Sequence, residues 1–79
     1  MNMDFIVETI VSGKKIQSSV KANTFTEAEI LVKTPAINQG EKVIDVQYGD
    51  MNNSGVSVIK TVIGDFNIER RIYLSKNQS

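Results

Sequence analysis

The chain has no cysteine, no histidine and no tryptophan, and a single proline among its 79 residues. Without cysteine, no disulfide can staple a small fold and no thiolate is available as a nucleophile. Without histidine, the commonest general base is gone, and with both absent so are the usual ligands of zinc and other transition metals. No cofactor or metal is therefore expected, and most small-enzyme chemistries are excluded. An excess of charge of one sign is also lacking: 9 Lys plus Arg offset 9 Asp plus Glu. That removes the overall pull on which non-specific binders of nucleic acid or anionic membranes rely. No apolar run approaches the roughly 18 residues that suggest a membrane helix. Nor does a basic segment followed by a long apolar stretch open the chain, so neither a signal peptide nor a membrane span is expected. The expected compartment is the cytoplasm, or the host cytoplasm or virion if the gene is viral.

The strongest local signal is a helix start at Asn23-Thr24-Phe25-Thr26-Glu27-Ala28-Glu29. Thr24 followed three residues later by Glu27 fits a capping box, and the early glutamates suit the positive end of the helix dipole. Phe25, Ala28, Leu31 and Val32 share one face at helical spacing, with Ile30 off that face. Pro35 disfavours helical geometry at Thr34, which predicts a helix of little more than two turns. So short a helix needs a sheet to dock on.

Everything else reads as strand. Residues 4–11 and 15–22 flank a Ser12-Gly13-Lys14 loop suited to a hairpin. The second of these strands has Ile16, Ser18, Val20 and Ala22 on one side, with Lys15, Gln17, Ser19 and Lys21 turned to water. A loop from Thr34 to Gly40 is expected to anchor Ile37 in the core. Strands follow at 41–48, 56–63 and 66–74, the last two joined by Gly64-Asp65. The polar run between Gly49 and Gly55 is the segment expected to be most mobile. The fold expected is thus α+β, in the order β-β-α-β-β-β, with one mainly antiparallel sheet and a single short helix packed on one face. It forms one domain over residues 1–79, with 75–79 as a frayed tail.

One helix covers one face, and the strands carry apolar residues on both sides. Ile6, Ile10, Val43, Ile59 and Ile63 are therefore expected to form an uncovered apolar patch serving as a protein interface. A homo-oligomer, or a host or viral protein partner, would occupy it. Carboxylates alone remain for catalysis (Glu41, Asp45, Asp50, Asp65 and Glu69), and a chain of this size has little material for the deep cleft they would need. The protein is read as no enzyme. Asp50 to Gly55 superficially resembles a calcium loop but lacks the closing glutamate and flanking helices, so it reads as a polar turn. Lys60, Arg70, Arg71, Tyr73 and Lys76 offer an alternative, a basic and aromatic strand surface that binds nucleic acid. Against it, successive strand residues point to opposite faces. One arginine is then expected to pair with Glu69 or Asp65 and the other to guard a sheet edge.

The run from Val20 to Ile30 (Val-Lys-Ala-Asn-Thr-Phe-Thr-Glu-Ala-Glu-Ile) follows a Gly-Lys-Lys hairpin and precedes Val43-Ile-Asp-Val-Gln-Tyr48. Over residues 4–48 this resembles a family of short uncharacterised α+β domains of Bacteroidetes genomes and their phages. The resemblance implies an intracellular or phage accessory protein and brings no catalytic residues. The function expected is a non-enzymatic protein-binding or structural module acting through an apolar sheet face or an edge strand. A small-ligand binder at an oligomer interface is the remaining alternative.

Overall fold

Alternating β-branched and polar residues form the strands, and two short turns set their register. A computed structural model describes residues 2–49 and 55–75. The elements are β1 (Met3–Val11), β2 (Lys14–Ala22), α1 (Phe25–Asn38), β3 (Lys42–Gly49), β4 (Val56–Ile63) and β5 (Phe66–Leu74). This is the expected α+β order. The segment expected to be most mobile falls largely on residues 50–54, and the tail on 76–79; both lie outside the described residues.

Ser12 and Gly13, at φ 51° and 79°, both take positive φ, the signature of the two-residue turn that matches strand twist. β2 therefore begins at Lys14, paired with Val11. Gly64, at φ 57°, plays a similar part between β4 and β5. The five strands form one sheet in the order β2-β1-β5-β4-β3, every neighbouring pair antiparallel. β2 and β3 are its two edges, and α1 connects them across one face.

The helix is longer than the proline rule predicts, 14 residues with Pro35 inside it. The ring removes one amide donor, opposite the carbonyl of Leu31, at a place where both residues are exposed, so little is lost. Its true stop is Gly40. At φ 98°, Gly40 donates to the Ile37 carbonyl and Glu41 donates to the Ala36 carbonyl, the paired bonds of a Schellman cap. At the other end the Thr24 hydroxyl accepts from the Glu27 amide at 3.0 Å, the threonine half of the expected capping box.

The buried face of α1 is Phe25, Ala28, Glu29, Val32 and Ala36. Leu31 and Ile37, expected to be inside, are 44% and 51% exposed, and the neighbouring Ala36 is buried in place of Ile37. The core is formed by Phe5 and Val7 of β1, Ala22 of β2, Ile59 of β4 and Ile72 of β5 beneath Ala28. The Phe5 and Phe25 rings meet edge to face at 5.3 Å, fixing the start of the helix on the sheet.

Candidate functional site

The helix lies on the sheet through polar clamps as well as apolar contacts. Ser57 and Thr61, both buried on β4, face the helix side. The Ser57 hydroxyl donates to Glu29 at 2.9 Å, and the Thr61 hydroxyl donates to Glu41 at 2.5 Å. Arg70 of β5 completes the second clamp with a two-pronged ion pair to Glu41, at 2.6 and 2.9 Å. The Arg70 guanidinium, followed by the Thr61 hydroxyl, holds the Glu41 carboxyl below its ordinary value against the opposing effect of burial. At the sheet margin, hydrogen bonding and charge from the Glu29 carboxylate push the exposed Tyr48 phenol above its ordinary value. These groups are paired with one another in structural roles.

The opposite, open face sets rows of charge beside a short apolar row of Val56, Tyr73 and Ile6. Across the strands run Asp45, Lys60, Glu69, Ile10 and Lys15, and in the next row Gln47, Val58, Arg71, Glu8 and Gln17. Arg71 bonds Glu69 at 2.7 Å, and the Tyr73 hydroxyl donates to Glu8 at 2.9 Å. Lys15 stands 3.9 Å from the same Glu8. Burial first, then Glu8, raises the Tyr73 phenol above its usual value. Exposed ion pairs of this kind add little stability but keep the face compatible with water. An open depression of about 380 Å³, lined by Ile10, Lys60, Glu69 and Ile44 among others, crosses one end of the face.

The five residues expected to form one uncovered patch do not share a face. Ile6 and Ile10 are on the open side, each half-buried. Ile59 is 1% exposed beneath the helix, with Val43 and Ile63 on that same side at its margin. The pairing explains why: Ile59 lies opposite Arg70, and Arg70 opposite Thr9, which shares its side of β1 with Phe5 and Val7. The surface-apolar side chains Ile16, Val43, Ile63 and Phe66 therefore belong to the helix side, where α1 leaves the corners of the sheet bare.

The basic set is divided likewise. Arg70 guards no edge, since β5 is the central strand, and it is spent on Glu41. Arg71, Tyr73 and Lys60 share the open face, each beside a carboxylate, and Lys76 lies outside the described residues. Among the carboxylates considered for catalysis, Glu41 and Glu69 are paired with arginines and Asp45 accepts from Gln47 at 2.9 Å. Asp65 sits in the β4–β5 turn, and Asp50 is outside the described residues. Among the described residues, no group of three or more His, Cys, Asp or Glu could hold a metal ion. No helix there is long and apolar enough to cross a membrane.

Among the described residues, the edge strand β2 has no strand partner on its outer side. It pairs with β1 alone, over an unbroken register from Met3 opposite Ala22 to Val11 opposite Lys14. The pair closing a two-residue hairpin exchanges both hydrogen bonds, and such pairs alternate along an antiparallel ladder. Lys14, Ile16, Ser18, Val20 and Ala22 thus bond inward to β1, while Lys15, Gln17, Ser19 and Lys21 turn amide and carbonyl outward. Apart from Val20 and Ala22, every residue of β2 is exposed. The other edge is different, because the β3–β4 register shifts between Val43 and Asp45, the kind of irregularity that blunts an edge. In comparison with known proteins, no family model, curated protein or solved structure matches the chain.

Sequence reasoning missed Glu29, Ser57 and Thr61 as structural partners. Only the folded pairing reveals them, as nothing distinguishes a buried Ser or Glu from a solvated one along the chain. The β2 edge had a visible sign in its strict alternation and its lysines, but its place at the rim depends on strand order.

Proposed function

We propose that this protein is a non-enzymatic accessory module that binds another polypeptide by accepting an extended segment along β2. The observation that carries the reading is the regular outward row of backbone groups at Lys15, Gln17, Ser19 and Lys21, on a strand of nine residues without bulge or proline. An added strand satisfies those groups through main-chain bonds, while its alternate side chains supply specificity. The open face carries a short apolar row, Val56, Tyr73 and Ile6 with Val58 beside it, but the paired charges of Glu8, Arg71 and Glu69 border that row and limit its extent as a face-on interface. The alternative nucleic-acid reading has less support, since Arg70 lies on the opposite face from Arg71, Tyr73 and Lys60 and both arginines pair with carboxylates.

Selection of binders from a random peptide library, mapped by backbone amide shifts, tests the proposal. Peptides that shift the resonances of residues 14–22 and leave β3 unchanged are expected. Binders that perturb the depression on the open face, or β3 alone, would contradict it.

A further inference from the structure

Taking β2 as the docking edge, we infer that the segment it accepts is acidic on one side and apolar on the other, with acidic residues opposite Lys15 and Lys21. β2 carries Lys14, Lys15 and Lys21 and no acidic residue. Lys15 and Lys21 project from the open side, and both belong to the outward-bonding set, so a residue of an added strand stands directly across from each. Their acidic neighbours, Glu8 at 3.9 Å from Lys15 and Asp4 opposite Lys21, lie on β1 on the inner side, so the outermost charges of the rim are lysines. On the helix side the same strand presents Ile16, 63% exposed, and the half-buried Val20. A strand alternating acidic and β-branched residues matches both sides at once, because side chains alternate with a period of two.

A second copy of the chain fits this edge poorly. Full antiparallel pairing of β2 (Lys14–Ala22) with itself centres on Ser18 and sets Lys15 against Lys21 of the other copy, twice. Like charges directly opposite are destabilising. The lysines that deter self-pairing are therefore those that select an acidic partner.

Three labelled peptides of the same length as β2 test the inference: alternating Val and Glu, Val and Gln, and Val and Lys, titrated by fluorescence anisotropy at low and high salt. At low salt the Val-Glu peptide should bind about tenfold tighter than the Val-Gln peptide, as two favourable cross-strand pairs imply. The advantage should shrink in high salt, and Lys15→Glu with Lys21→Glu should move the preference to Val-Lys. Gln17→Pro, with Ser19→Pro as a second variant should the first misfold, removes an outward donor and should abolish binding while circular dichroism stays native. Equal binding of Val-Glu and Val-Gln, still lost in a natively folded proline variant, overturns the acidic partner and leaves the edge reading intact. Binding that survives both proline substitutions, or no binding by any peptide, overturns the edge reading itself. A dimer seen by light scattering without peptide, and lost on Gln17→Pro, would replace the acidic segment with a second copy.

Discussion

The two rims of the sheet are held by opposite means. At the β2 rim the helix is fixed by grease, through the Phe5 and Phe25 rings, Ala22 and Ala28. Toward β3 its end is fixed by charge, through Glu41, reached immediately after the Gly40 cap and bonded to Arg70 of the central β5 and Thr61 of β4. The greasy anchor leaves its edge strand straight and open, whereas the charged anchor sits beside a strand whose register is broken. An edge that must receive a partner gains from regular spacing. One that must remain alone gains from irregularity.

The comparison breaks most severely at the charged rim. Glu41→Ala leaves the Arg70 guanidinium in a largely buried site without its counter-ion, and should lower stability by about 3–5 kcal/mol in urea titration. Replacing Glu41 and Arg70 together by Leu and Met should recover most of that loss, because a buried pair is worth little over a well-packed apolar substitute. Next comes the greasy rim, where Phe25→Ala should cost about 2–3 kcal/mol by the same measurement, less than a fully buried ring because Phe25 is only partly buried.

Acid separates the two anchors more sharply. The Glu41 carboxyl titrates below its unfolded value, so its contribution is present above that value, about 4.3 for an unperturbed glutamate, and is lost as pH falls through its lowered folded value. Urea midpoints should therefore fall in acid for the native chain and fall less for Glu41→Gln, while Phe25→Ala retains the native slope.

Much of the fold was legible before the structure. All five strands, both tight turns and the Thr24 cap follow from β-branched alternation, glycine placement and one hydroxyl, each a signal confined to neighbours in the chain. What depended on distant pairing was not legible. Ile59 and Ile63 read like Ile6 and Ile10 until the register through Arg70 and Thr9 sets them on opposite faces. Pro35 outweighed Gly40 as a helix stop because a proline is conspicuous, yet its missing donor mattered little where Leu31 is exposed. Burial of Glu29 and Glu41 ran against the habit of leaving carboxylates in water, and only their partners on β4 and β5 account for it.

Smaller effects refine the comparison at the caps. Gly40→Ala forces a β-carbon into a backbone with φ of 98° beside the charged rim and should cost about 1–2 kcal/mol. Thr24→Ala removes the cap at the greasy rim and should cost about 1 kcal/mol. In thermal melts both variants should unfold in one transition, with Gly40→Ala the less stable.

The most direct test of the central claim is amide hydrogen exchange, residue by residue, with and without the alternating Val-Glu peptide. Lys15, Gln17, Ser19 and Lys21 should exchange quickly in the free protein and at least about tenfold more slowly with peptide bound, while β3 is unchanged. Protection appearing on β3 or on the open face instead, or outward amides of β2 already slow in the free protein, would contradict it.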